Sequence, residues 1–182
     1  MGAFASKQSV AKETVAEPGG CASFADLLRE HQRMVFSIAL HFLRDPSAAE
    51  EVAQDVFLQL HRNLDGLEPT RVIFWLRKVT SNRAIDYVRK RKLRATVALE
   101  DAPEPRATVA QPDLLLQDKL RALVATLPEK PRMVMVLRYQ EDVMPEEIAQ
   151  MLGMPVRTVK SHLQRSLAML REKIDRSMGD IR

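Results

Sequence analysis

Near the carboxyl terminus, Arg157, Thr158, Ser161, His162 and Arg165 are spaced as one face of a helix. At 100° per residue they fall within about 140° of one another. Val159, Leu163, Leu167, Leu170 and Ile174 occupy a separate sector, between about 200° and 280° on the same wheel. Over residues 157–165 the polar face offers hydrogen-bond donors and no carboxylate. A surface like this suits base edges and phosphates in a DNA major groove. Lys160, beside the polar face, is placed to grip a phosphate. An ordinary amphipathic surface helix would mix Glu into its polar side.

Such a face needs an element to present it. Just before it, Ile148, Ala149 and Leu152 mark a shorter helix, and Gly153-Met154-Pro155 separates the two. Glycine can adopt the positive φ that ends a helix, and proline fits the start of the next. The spacing therefore predicts a helix-turn-helix.

A second constellation lies upstream. On a helix from about Arg71 to Lys92, the residues Arg71, Lys78, Asn82 and Arg89 fall within about 40° of one another, with Trp75 beside them. Cations next to an aromatic suit a phosphate backbone with exposed bases. The competing reading makes Trp75 a core residue and the cations a solvated face. The run Arg89-Lys90-Arg91-Lys92 favours nucleic acid.

Further upstream, Glu51 and Asp55 are four residues apart and share a helix face. His31, His41, His61 and His162 have no ligand spacing with them, so no metal site is expected and no cofactor is called for. An acidic surface for a basic protein partner is the better reading. The sequence shows no nucleophile–base pairing, Gly-rich phosphate loop or cysteine cluster, so no enzyme is expected.

Charge is unevenly distributed. Residues 23–70 hold four Lys/Arg against eight Asp/Glu; residues 71–94 hold nine against one; residues 95–118 hold one against five; residues 119–182 hold twelve against eight. The formal net charge of +4 thus hides two basic blocks separated by acidic ones, and basic blocks attract polyanions. With six glycines and 5% aromatics, the composition favours helix over a β-sandwich. No run is long and apolar enough to cross a membrane, and the first 20 residues have no apolar signal region. Gly2 followed by Ser6 matches only a loose myristoylation pattern. A single cysteine, Cys21, suits a cytoplasmic protein.

The predicted fold class is all-α. Two small helical domains are joined by a flexible acidic linker, and the second ends in the helix-turn-helix. A disordered tail covers residues 1–22 and the first domain 23–93. The linker covers 94–113, with Pro103, Pro105 and Pro112, and the second domain 114–176. In the first domain, Asp45 or Ser47 can cap a helix whose start Glu50 and Glu51 favour.

These segments resemble a known family. "AAEEVAQDVFLQLHRNL" (48–64) is similar to the polymerase-binding helix of bacterial sigma factors. "FWLRKVTSNRAIDYVRKRK" (74–92) is similar to their promoter-melting segment. "EEIAQMLGMPVRTVKSHLQRSLAMLRE" (146–172) resembles their domain 4 motif. The three occur in the family's order, and the short linker points to the extracytoplasmic-function class of the sigma-70 family (group IV). Arg157 stands where the family often has a small residue, and His162 where it often has Arg.

The resemblance implies a factor that binds core RNA polymerase and directs promoter recognition. Glu51, Gln54 and Asp55 would dock on the clamp region of the largest subunit. Arg71, Trp75, Lys78, Asn82, Arg83 and Arg89 would hold the opened minus-ten element, with the loop 64–70 pocketing a flipped base. Arg157, Thr158, Lys160, Ser161, His162 and Arg165 would bind the minus-thirty-five element. An anti-sigma partner is implied as well. A response-regulator transcription factor would share the terminal motif but needs an α/β receiver or ligand domain before it, where this chain has helices. A helical metalloenzyme would need the metal that the spacing does not provide.

Overall fold

The computed structural model describes residues 23–97, 120 and 122–179. The tail through residue 22, Cys21 included, and the linker from residue 98 lie outside them. Helix α1 (Phe24–Leu43) is followed by α2 (Pro46–Asn63), two 3-10 turns (Leu64–Gly66 and Pro69–Arg71) and α3 (Val72–Val97). Residues 122–125 are helical, and α4 (Glu129–Tyr139), α5 (Pro145–Leu152) and α6 (Val156–Gly179) complete the second unit. No strand occurs among the described residues.

Local chemistry accounts for the helix ends. Ser23 caps α1, its side chain accepting from the Asp26 amide. Asp45 rather than Ser47 caps α2, accepting from the amides of Ser47 and Ala48 at 3.1 and 3.2 Å, with Pro46 opening the helix. Glu50 and Glu51 lie beyond the first turn of α2, which holds no acidic residue. The expected support from the helix dipole therefore falls away, because that field acts mainly on the end turn. Helix α3 runs to Val97, so helix occupies the first four positions assigned to the linker.

In the first unit, Val35, Ile38 and Phe42 of α1 pack with Val56 and Leu60 of α2 and Leu76 and Ala84 of α3, all fully buried. In the second, Met133, Val134 and Leu137 of α4 meet Ile148 and Met151 of α5 and Val159 of α6.

The two units do not stand apart. Most of their buried residues form one apolar cluster that spans both units, with α4 against α1 and α3, and α5 against α3, while Leu127, Met135 and Leu170 form a smaller cluster within the second unit. The tethered arrangement predicted from sequence becomes, in this structure, a closed one. The cause lies in α4, where five consecutive residues, Met133–Leu137, are buried. A helix apolar on more than one side must be covered on more than one side. Helix α6 covers one face of α4, and the first unit covers another.

Candidate nucleic-acid and polymerase interfaces

The helix-turn-helix forms as its sequence requires. Gly153 ends α5 at φ 60°, and the Met154 amide donates to the Ala149 carbonyl at 3.0 Å. Pro155 lies just before α6 and contributes only its carbonyl, which accepts from Thr158 and Val159. It is a cap rather than the first helical residue. On α6, Val159 and Leu170 are buried, and Ser166, which the sequence reading did not single out, is buried with them. Arg157, Lys160 and Arg165 are exposed, and Thr158, Ser161 and His162 are half-buried. The polar and apolar sectors are thus separated as the wheel predicted.

Two contacts refine that face. Lys160 pairs with Glu146 of α5 at 3.2 Å, both side chains more than half exposed. His162 has its pKa lowered, first by burial and then by the charges of Arg165 and Lys130. Lys130, at the start of α4, therefore adds a cation near the reading face. Only the fold reveals this, because 32 positions of sequence separate it from His162.

Helix α3 presents its cations unevenly. Arg71, Lys78, Asn82 and Arg89 are exposed, while Trp75 and Arg83 are half-buried. Trp75 packs against the core cluster, as the competing reading of it required, yet keeps part of its ring accessible. The Gln59 side-chain oxygen, once the amide is oriented to face it, accepts from the Arg83 guanidinium. Arg71 pairs with Glu68 at 3.5 Å and Arg91 with Asp45 at 3.9 Å. Arg89 pairs with Asp86 at 3.7 Å and with Glu129 of α4 at 3.8 Å, and Lys92 donates to Glu129 at 2.6 Å.

Glu51, Gln54 and Asp55 are all exposed on α2 but border two different grooves. Glu51 and Asp55 line a polar cleft with Arg83, Tyr87, Arg91 and Arg94 of α3. The Tyr87 hydroxyl donates to Glu51, and burial together with that carboxylate raises the Tyr87 pKa. Gln54 borders an apolar groove between α1 and α2, lined by Phe24, Leu28, Phe36, Phe57 and Leu58. Leu58 is 56% exposed, and helical periodicity alone did not mark it as part of a surface.

The units meet at polar points that sequence reasoning missed. The Arg132 guanidinium of α4 lies over the Phe42 ring of α1. Glu141, after α4, accepts a hydrogen bond from Ser37 of α1, with His41 of α1 and Arg77 of α3 close enough to act on its charge. Burial nevertheless dominates and raises the Glu141 pKa. The Nε atoms of Arg77 and Arg132 are buried without a hydrogen bond.

This geometry, a three-helix unit bearing an acidic helix and a basic one, joined to a helix-turn-helix unit, has close counterparts. Residues 27–94 match the model of sigma-70 region 2, and residues 117–170 that of sigma-70 region 4. The RNA polymerase sigma-E factor of Streptomyces avermitilis is 34% identical over 161 residues, covering 86% of this chain and 88% of that protein. The ECF RNA polymerase sigma factor SigW of Bacillus subtilis is 28% identical over 166 residues, 84% and 89% of the two chains. A probable sigma factor of Xanthomonas campestris, RfaY, is 30% identical, but the chain spans only 41% of its length.

Among solved structures, RpoE of Bartonella quintana, in complex with the anti-sigma factor NepR, superposes with a TM-score of 0.71 at 21% identity, covering 84% and 96% of the chains. CnrH, in complex with the cytosolic domain of CnrY, gives 0.63 at 22% identity, covering 84% and 87%. At those identities the likeness is one of fold. The chain belongs to the sigma-70 family of RNA polymerase sigma factors. Within it, the chain falls among the extracytoplasmic-function factors, whose business is promoter recognition at transcription initiation.

Proposed function

We propose that the two units divide the work of initiation between them. The first unit docks on the clamp region of the largest subunit of core RNA polymerase through Glu51, Gln54 and Asp55. Its helix α3 then holds the opened minus-ten element through Arg71, Trp75, Lys78, Asn82, Arg83 and Arg89. The second unit binds the minus-thirty-five element through Arg157, Thr158, Lys160, Ser161, His162 and Arg165. The protein performs no catalysis itself, since the polymerase supplies the chemistry. It works in the cytoplasm, where its polymerase and promoter are. An anti-sigma protein restrains it, a reading supported by the structural neighbour RpoE, which was solved in complex with the anti-sigma factor NepR.

The observation that carries this reading is the polar face of α6. Donors stand at Arg157, Thr158, Ser161, His162 and Arg165 with no carboxylate among them, and the Gly153 turn anchors them on a buried apolar seam. Such a face favours phosphates and base edges over protein partners. The test is run-off transcription with purified core polymerase on a genomic promoter library. Specific transcripts that appear only when this protein is added support the reading. Equal transcription with and without it refutes the reading.

A further inference from the structure

Glu129 is the one residue of α4 whose carboxylate meets the basic end of α3. Its two oxygens are shared between two cations of the other unit, Lys92 at 2.6 Å and Arg89 at 3.8 Å. Its side chain is 22% exposed, against 68% and 50% for those cations, so the carboxylate is the better-held member of the group. The pairing holds its pKa down, chiefly through the Lys92 hydrogen bond. One carboxylate between an ammonium and a guanidinium copies, in charge and spacing, one backbone phosphate. Contacts of this kind supply most of a protein's sequence-independent affinity for nucleic acid.

We propose that Glu129 is an internal phosphate mimic that latches the second unit onto α3, so that closing of the protein and engagement of single-stranded DNA by α3 compete. This rests on the reading of α3 as the minus-ten element's binding helix. A strand that reaches Arg89 and Lys92 must displace Glu129, and loss of Glu129 loosens α4 from the first unit. Conversely, a strand bound by a chain that is mostly closed pays for opening: its apparent affinity falls by the fraction of chains that are open. The apolar contacts around α4 hold the units together in parallel, so the latch biases the closure rather than creating it.

The full chain, with Cys21→Ser, carries donor and acceptor dyes at Ala25→Cys on α1 and Ala168→Cys on α6, both exposed positions. A short A/T-rich single-stranded oligodeoxynucleotide is titrated in at low salt. It should lower energy transfer as it binds. Glu129→Gln should start with lower transfer and bind the strand roughly threefold more tightly, the ratio expected when a partly exposed ion pair no longer opposes opening. Asp86→Asn removes the other partner of Arg89, within the first unit, and should leave the starting transfer unchanged. Circular dichroism of each variant checks the fold.

Wild-type transfer and affinity in Glu129→Gln overturn the latch, as does strand binding to the wild type with no change in transfer. In either case, if affinity still falls on Lys78→Ala, the assignment of α3 survives. Affinity indifferent to Lys78→Ala overturns that assignment and the latch with it.

Discussion

The guanidinium carbon of Arg132 lies 4.3 Å from the centroid of the Phe42 ring. One residue belongs to α4 and the other to α1, so a cation of the second unit lids an aromatic of the first. Burial lowers the Arg132 pKa, and Glu129 beside it opposes that shift. Its contacts with the Ala125 carbonyl, at 3.3 Å, and with the ring are what hold it in place.

Arg132→Ala should therefore cost about 1–2 kcal/mol of stability, the scale of a largely desolvated cation–π contact and the packing of its stem. Arg132→Met should recover the part of that loss that comes from covered area, since it forfeits the bond to the Ala125 carbonyl and the charge over the ring but none at the buried Nε. Urea unfolding of both variants measures it. Identical losses for Ala and Met would show that charge over the ring, rather than covered area, is what counts.

Glu51→Arg combined with Asp55→Arg should abolish binding to core polymerase while circular dichroism stays that of the wild type. Both carboxylates are exposed, and reversing charge at an interface sets like charges against each other at a cost of several kcal/mol. A Gln54→Ala change alone should weaken binding less, since Gln54 borders the other groove. Undiminished affinity of the double variant in a pull-down would end the docking assignment.

Arg157→Ala and Lys160→Ala should fail differently. Lys160→Ala should weaken every promoter alike and reduce the salt slope by roughly one unit. Arg157→Ala should cost roughly 1–3 kcal/mol at the cognate upstream element and relax preference at one or two positions. Glu146→Gln releases Lys160 from its partner and should strengthen binding slightly and without sequence preference. Transcription from a library randomised upstream, at two salt concentrations, reads all three. Matching losses for Arg157→Ala and Lys160→Ala across the library would make α6 a general phosphate grip.

The closed arrangement should depend on pH through two carboxylates whose pKa values are shifted in opposite directions. The Glu141 pKa is raised in the closed protein by burial, which outweighs the opposing pull of Arg77, Ser37 and His41. Its proton is held more tightly there than in an open or unfolded chain. Its contribution therefore favours closure at low pH and falls away as pH climbs from the ordinary glutamate value through the raised one. The Glu129 pKa is lowered, so its contribution is present above the ordinary value and fades as pH drops through the lowered one. Glu141→Gln should flatten the decline in thermal midpoint on the alkaline side of the ordinary glutamate value. An unchanged pH profile in that variant would rule Glu141 out as its source.

Much of this was legible in advance. Among the described residues, the six helices of eight residues or more lie close to where apolar spacing and punctuation put them, because Gly153, Asp45 and the prolines act locally. The two faces of α6 followed from 3.6-residue periodicity alone. The closure of the two units was not legible. It depends on α4, where Met133–Leu137 reads as one short apolar run whose partners a helical wheel cannot name. Likewise Lys92 and Glu129 are 37 residues apart, on either side of a proline-bearing stretch that reads as a separator. The division of Glu51, Asp55 and Gln54 between two grooves was hidden for the same reason. Spacing shows which residues share a face, and only packing shows what flanks that face.

A core that runs unbroken through both units also makes them thermodynamic partners. Linkage is reciprocal: if binding by one unit requires the shared core to part, that ligand raises the other unit's availability by the same factor the other's ligand returns. A ligand of the first unit that needs that parting would thus ready the second unit without touching it. A ligand of the second unit with the same requirement would tighten the first in equal measure. Cooperativity between two sites on one small chain would need no signal beyond the parting of the apolar surface between α4 and α1.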